Sequence, residues 1–262
     1  MMKVGIIGCG NLGLSLLKGL HESDMPLELM ASKRTLPEEG SSIYSLGEVT
    51  TDNAHLIKEC EILILALKPY NILPFLNEYK SLIQKDKHTI VSVATGIRIT
   101  EIQDIVGPNV GTYRAMPNTA ATVKESMTAV SGSTDDLNRR ELIHSLFNAI
   151  GDTVEINESL MESATILGAC GVAYVLRFMR AMIQGGIEVG FDASTASKIV
   201  SQTMKGASEL IIQQGTHPEA EIDKVTTPKG CTIVGLNEME HAGFSSSLIK
   251  GIVSSYNKIT RD

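Results

Sequence analysis

Glycines at positions 8, 10 and 13 of this 262-residue chain follow a short apolar run, Val4-Gly5-Ile6-Ile7, and open a helical pattern. A triplet at that spacing suits one chemical task. The first glycine permits a tight turn, the second lets the backbone approach a pyrophosphate with no Cβ in the way, and the third lets the helix pack close to the strand. The free N–H groups at the helix start then face the phosphates. Gly8, Cys9, Gly10, Asn11, Leu12 and Gly13 are therefore expected to hold the pyrophosphate of a dinucleotide.

The next strand, Glu28 to Ala31, says which dinucleotide. A preference for NAD usually comes with a carboxylate at this strand tip, about 20 residues beyond the glycines, to take the ribose 2′-OH, whereas a 2′-phosphate needs cations and hydroxyls there. The tip reads Ser32-Lys33-Arg34-Thr35, with no carboxylate. Charge-assisted bonds from Lys33 and Arg34, with hydroxyls from Ser32 and Thr35, favour NADP(H) over NAD(H).

A second turn carries donors of another kind. Lys224 to Ile233 places Thr227, Pro228, Gly230, Cys231 and Thr232 just before a helical pattern. The N–H groups of Cys231 and Thr232 at a helix start, with the Thr227 and Thr232 hydroxyls, suit a small carboxylate. An N-capping turn that holds no ligand fits the same residues, and the two readings stay open on this segment alone.

The elements that position these turns alternate. After a helix over roughly 11–22, apolar runs at Ile62 to Leu67 and Thr89 to Val93 read as parallel strands buried on both faces. Thr112 to Met116 and Met127 to Val130 follow as strands, and Asp135 to Ile150 as a helix with an acidic first turn. Near residue 158 strand signals give way to helical ones. Ala196, Ile199, Val200, Thr203, Met204, Ala207, Leu210 and Ile211 form one stripe at helical spacing, and Val172 to Val189 is apolar around most of its circumference. A helical half of about 100 residues cannot cover both, so a second subunit is expected to do so, with Gly185-Gly186 allowing close helix approach. The expected fold class is α/β: a Rossmann-like dinucleotide-binding domain over 1–157, then an all-helical dimerisation and substrate domain over 158–262.

Composition narrows the partners. A formal charge of −7 without a long basic run argues against nucleic acid. No apolar run reaches the roughly 18 residues of a membrane span, and the apolar residues after Lys3 belong to the glycine motif rather than to a leader. Cys9, Cys60, Cys170 and Cys231 lack metal-site or redox spacing, so free thiols, a cytoplasmic location and no metal are expected. His21, His55, His88, His144, His217 and His241 form no catalytic constellation.

Taken in order, Gly8-Cys9-Gly10-Asn11-Leu12-Gly13, Ala66-Leu67-Lys68-Pro69, Met116-Pro117-Asn118-Thr119, Gly171-Val172-Ala173-Tyr174, Thr226 to Thr232, Gly235-Leu236 and Gly243-Phe244 resemble the pyrroline-5-carboxylate reductase family over nearly the whole chain. The resemblance implies reduction of the cyclic imine 1-pyrroline-5-carboxylate to L-proline with NAD(P)H, the last step of proline biosynthesis, by an interlocked homodimer that often assembles further. It assigns the 2′-phosphate region to Ser32, Lys33 and Arg34, a ribose contact to Asn53, and the cofactor lining to Ala66, Leu67, Lys68 and Pro69 and to Ala94, Thr95 and Gly96. Substrate carboxylate contacts fall on Cys231 and Thr232, with Thr227 and Gly230 shaping the same substrate-binding turn. Catalytic roles near the imine fall on Thr232 and Glu158.

Two departures concern the substrate. Gly168-Ala169-Cys170-Gly171-Val172-Ala173-Tyr174 stands where the family typically has Ser-Gly-Ser-Gly-Pro-Ala-Tyr, and Lys229-Gly230 where it has a glycine pair. Two other readings therefore stand beside the reductase: a β-hydroxyacid dehydrogenase, whose catalytic lysine would fall on Lys198 or Lys205 without the surrounding pattern, and a non-catalytic NADP(H)-binding dimeric sensor.

Overall fold

The computed structural model describes residues 1–133 and 136–260, which form two compact units. One comprises Met1–Ala169 and the segment from Tyr256, the other Cys170–Ser255.

The first unit is an eight-stranded sheet with helices on both faces. Its strands are β1 (Met2–Ile7), β2 (Leu27–Ser32), β3 (Glu48–Thr50), β4 (Ile62–Leu65), β5 (Thr89–Ser92), β6 (Gly111–Met116), β7 (Ser126–Gly132) and β8 (Gly151–Glu155), in the order β3-β2-β1-β4-β5-β6-β7-β8. All neighbours are parallel except β6 and β7. The helices are α1 (Asn11–His21), α2 (Asn53–Glu59), α3 (Pro69–Tyr79), α4 (Ile99–Val106), α5 (Leu137–Asn148) and the single turn α6 (Met161–Ala164). The period of two along β4 shows why its sequence reads as an unbroken apolar run. Ile62 and Ile64 join a core with Leu16, Leu17 and Phe147 from α1 and α5, while Leu63 and Leu65 join another with Leu56, Ile72 and Ile102 from α2, α3 and α4. Each such side chain contributes about 1.5–3 kcal/mol by leaving water.

The expected elements fall within a few residues of the observed ones, with two additional strands. The edge strands β3 and β8 are short and partly exposed, and were not expected. The Asp135 to Ile150 helix starts at Leu137; Asp136 caps it, accepting from the Asn138 and Arg139 N–H groups at 3.1 and 3.3 Å, and Asp135 lies outside the described residues. Residues 158–169, which the sequence reading groups with the helical half, pack on the sheet, where Met161 is buried against Met116 and Ala129.

The second unit is helical: α7 (Gly171–Glu188), α8 (Ala193–Gln214), α9 (Pro218–Lys224), α10 (Cys231–His241) and most of α11 (Phe244–Ile259). Gly186 brings α7 against α8, since a Cβ there would sit 3.1 Å from that of Ala196; Gly185 faces open space. Ala196 and Val200 are buried, yet Ile199 and Leu210 of the same stripe are 47% and 42% exposed, and no residue of α7 is buried. One chain thus leaves this apolar surface largely uncovered. By length and composition the helical stretch Glu158–Glu188 also qualifies to cross a membrane, with a mean hydropathy of 1.6 over its most apolar window. That corrects the expectation that no apolar run reaches membrane-span length, because a mean over the window tolerates the few polar residues within it.

Candidate active site

Strand order sets the site. β1 is flanked by β2 on one side and β4 on the other, so the chain changes direction between β1 and β4, and the crevice outside the carboxyl ends of strands at such a point is where α/β sheets bind ligands. A groove of about 680 Å³ lies there, lined by Gly8 to Gly13, Lys33, Arg34, Ala66 to Pro69, Asn71, Val93, Ala94, Thr95 and Thr119. An adjoining pocket of about 300 Å³ is lined by Ser32, Lys33, Arg34, Thr51, Asn53, Leu67 and Phe75, with Ile7 and Gly8. All the expected coenzyme residues but Thr35 and Gly96 line these two spaces. Gly96 instead lines a separate cavity with Arg98, Arg114, Glu158 and Glu162.

The three glycines behave differently in the turn. Gly8 has a φ of +92°, and a Cβ there would lie 2.8 Å from the Ala66 carbonyl oxygen. A Cβ on Gly13 would lie 2.7 Å from the Gly8 oxygen, whereas one on Gly10 meets no protein atom within 4 Å. Gly8 and Gly13 therefore serve the chain's own packing, while Gly10 keeps the groove open. Ser32 is buried, and its backbone oxygen accepts from the Gly8 and Cys9 N–H groups at 3.2 and 2.9 Å, which ties the tip of β2 to the glycine loop. Its hydroxyl oxygen lies 3.4 Å from the Gly8 nitrogen. Burial raises the Cys9 thiol pKa, with Lys33 acting the other way.

The turn of the second unit has its own geometry. The Gly230 N–H donates to the Thr227 oxygen at 2.9 Å, and α10 opens at Cys231 with no side chain capping it. A Cβ on Gly230 would lie 2.6 Å from Thr227 Oγ1. Lys229 has a φ of +62°, a left-handed conformation that costs a non-glycine residue about 1–2 kcal/mol and accounts for the glycine expected there. Thr226 Oγ1 donates to the Ile222 oxygen at 2.8 Å and closes α9.

Glu158 does not line the groove. Its Oε1 accepts from the Ile99 N–H at 2.7 Å and from Arg114 Nη1 at 3.3 Å, while Glu162 Oε1 accepts from Arg114 Nη2 at 2.9 Å. The Arg114 side chain is 2% exposed. Sequence reasoning missed it, although a charge inside a buried strand must find a partner and is itself the signal. It also missed the wall residues Thr51, Asn71 and Phe75, which carry no motif of their own, and Thr119, whose motif was given no role at the coenzyme. Asn118 is a further omission: its Oδ1 accepts from the Ala120 N–H at 2.9 Å and its Nδ2 donates to the Gly168 oxygen at 3.1 Å.

The sheet, its glycine-lined crevice and the helical second unit define a two-part protein built on a dinucleotide-binding fold. Residues 3–96 match the family described as NADP oxidoreductase, coenzyme F420-dependent, and residues 158–261 match the one described as pyrroline-5-carboxylate reductase dimerisation. Pyrroline-5-carboxylate reductase 2 of Dictyostelium discoideum is 39% identical over 98% of this chain and 92% of its own length. Pyrroline-5-carboxylate reductase 1 of the same organism is 41% identical over 97% of this chain, which spans about half (49%) of that longer protein. The structure of 1-pyrroline-5-carboxylate reductase from Streptococcus pyogenes is 28% identical, with a TM-score of 0.86 over 100% of this chain and 99% of that one. The chain belongs to the pyrroline-5-carboxylate reductase family.

Proposed function

We propose that the chain reduces 1-pyrroline-5-carboxylate to L-proline with NADPH as hydride donor, in the cytoplasm, as a homodimer with no nucleic-acid or membrane partner. The observation that carries this reading is the pairing, in one family member, of a glycine-lined groove ending at Lys33 and Arg34 with an uncapped helix start after Thr227 and Gly230. Residues 1–157 serve as the coenzyme domain and 158–262 as the dimerisation and substrate domain, with 158–169 as the docked connection between them.

Each part has a defined task. Gly8 to Gly13 hold the pyrophosphate, Ser32, Lys33 and Arg34 the 2′-phosphate, Asn53 a ribose, and Ala66 to Pro69 with Ala94 and Thr95 shape the remaining length. NADPH supplies the hydride. The imine nitrogen is basic enough to take a proton from water, so no dedicated acid is required and the demand falls on positioning. The Cys231 and Thr232 N–H groups bind the substrate carboxylate at the helix start, Thr227 and Gly230 shape the turn, and the Thr232 hydroxyl adds a bond to the carboxylate or the imine nitrogen.

Replacing Lys33 and Arg34 together with alanine raises KM for NADPH more than for NADH, a loss of roughly 1–3 kcal/mol for charge-assisted contacts. Steady-state kinetics with both coenzymes measure it, and equal effects would remove these side chains from the 2′-phosphate. Thr232→Ala keeps the backbone donors and lowers kcat/KM for the imine by roughly ten- to a hundredfold with NADPH affinity unchanged. Thr226→Ala is the control, because its hydroxyl is already bonded to Ile222. Full activity in Thr232→Ala would make the turn a helix terminus without a ligand.

A further inference from the structure

Glu158 and Arg114 do not line the groove, yet Glu158 bonds to the segment that follows one of its walls. After β5 the chain passes through Ala94 and Thr95, which line the groove, and Gly96, with φ +75°, before α4 begins at Ile99. The first N–H groups of a helix have no partner within it. Here the Arg98 N–H donates to Glu101 Oε2 at 2.8 Å, a local bond, and the Ile99 N–H donates to Glu158, a residue 59 positions away. Glu158 is in turn paired with Arg114 of β6, whose buried guanidinium is shared with Glu162. β6 is hydrogen-bonded to β5, with Arg114 beside Ser92, the last residue before the turn. The loop is thus anchored by the sheet at one end and, at the other, by an ion-pair cluster in which Arg114 is buried and the two carboxylates are partly exposed.

Strand order gives that loop its chemical place. Lys33 and Arg34 follow β2, on one side of the glycine turn, and Ala94 and Thr95 follow β5, on the other. If the basic tip takes the 2′-phosphate, the opposite end of the groove takes the nicotinamide. We propose that Glu158, held by Arg114, is a positioning residue: it fixes the loop from Ala94 to Arg98 and through it the hydride-donating ring, without touching substrate. This rests on the reductase reading for its chemistry but on the geometry for the brace itself.

Three variants of the full-length protein test it. Glu158→Gln keeps a carbonyl oxygen for the Ile99 N–H and leaves Arg114 balanced by Glu162, so kcat stays within about threefold of the parent and the pH profile of kcat does not move. Glu158→Ala removes the acceptor, and kcat falls about tenfold or more while the dissociation constant for NADPH changes less than about threefold. The fluorescence anisotropy of the bound nicotinamide falls with it. Should Glu158→Ala not fold, Glu158→Asp retains the charge but withdraws the oxygen, and is expected to show the same split between kcat and NADPH affinity. Loss of activity in Glu158→Gln equal to that in Glu158→Ala, with a displaced pH profile, would make Glu158 a proton donor and overturn the proposal. So would unchanged kcat and anisotropy in Glu158→Ala, or kcat and NADPH affinity falling together. If the parent chain binds NADPH but does not reduce pyrroline-5-carboxylate, the reductase reading fails, and the anisotropy comparison still decides whether the brace orders the ring.

Discussion

Gly10→Ala is expected to fold as the parent does and to bind NADPH about a hundredfold more weakly, equivalent to about 2.7 kcal/mol. The added methyl group meets no protein atom within 4 Å, so thermal unfolding should stay within about 0.5 kcal/mol of the parent. Gly10 lines the groove, where the coenzyme pyrophosphate must come close to the backbone. Gly8→Ala makes the contrast, because its φ of +92° and the Ala66 oxygen at 2.8 Å from the new Cβ should cost stability as well as binding. Titration of NADPH fluorescence beside a melting curve separates the two. Unchanged affinity in Gly10→Ala would mean that the pyrophosphate lies elsewhere.

The second large effect concerns assembly. Ile199 lies on a stripe whose neighbours Ala196 and Val200 are buried within the chain, while Ile199 itself, Leu176, Ile249 and Val253 are exposed. On the homodimer reading these side chains are covered by the partner copy, and Ile199→Asp forces an unpaired carboxylate into that contact. A penalty of about 3 kcal/mol or more, over a hundredfold in the dimer dissociation constant, is expected. Sedimentation should show a shift toward monomer, with a melting temperature that rises with protein concentration. A parent chain that sediments as a well-folded monomer at micromolar concentration would contradict the shared helical core.

What the sequence disclosed follows from how local each signal is. The glycine turn was readable because its three positions have separate local reasons, and β4 because burial on both faces leaves an unbroken apolar run at Ile62–Leu65. β3 and β8 escaped notice because a short edge strand with exposed polar positions, such as Gly151–Glu155, carries neither an apolar run nor a clean alternation. The Arg114 cluster joins residues 44 and 48 positions apart, a pairing that no spacing rule reveals. Lys229 is the converse case: a lysine gives no hint of a left-handed φ, and only the glycine typical of the family at that place suggests one.

The most direct test is NADPH oxidation by the purified chain in the presence and absence of 1-pyrroline-5-carboxylate, with the product identified. Oxidation that depends on the imine and yields proline in equal amount is the expected result. Tight NADPH binding with no imine-dependent oxidation would contradict the account and leave a coenzyme-binding sensor in its place.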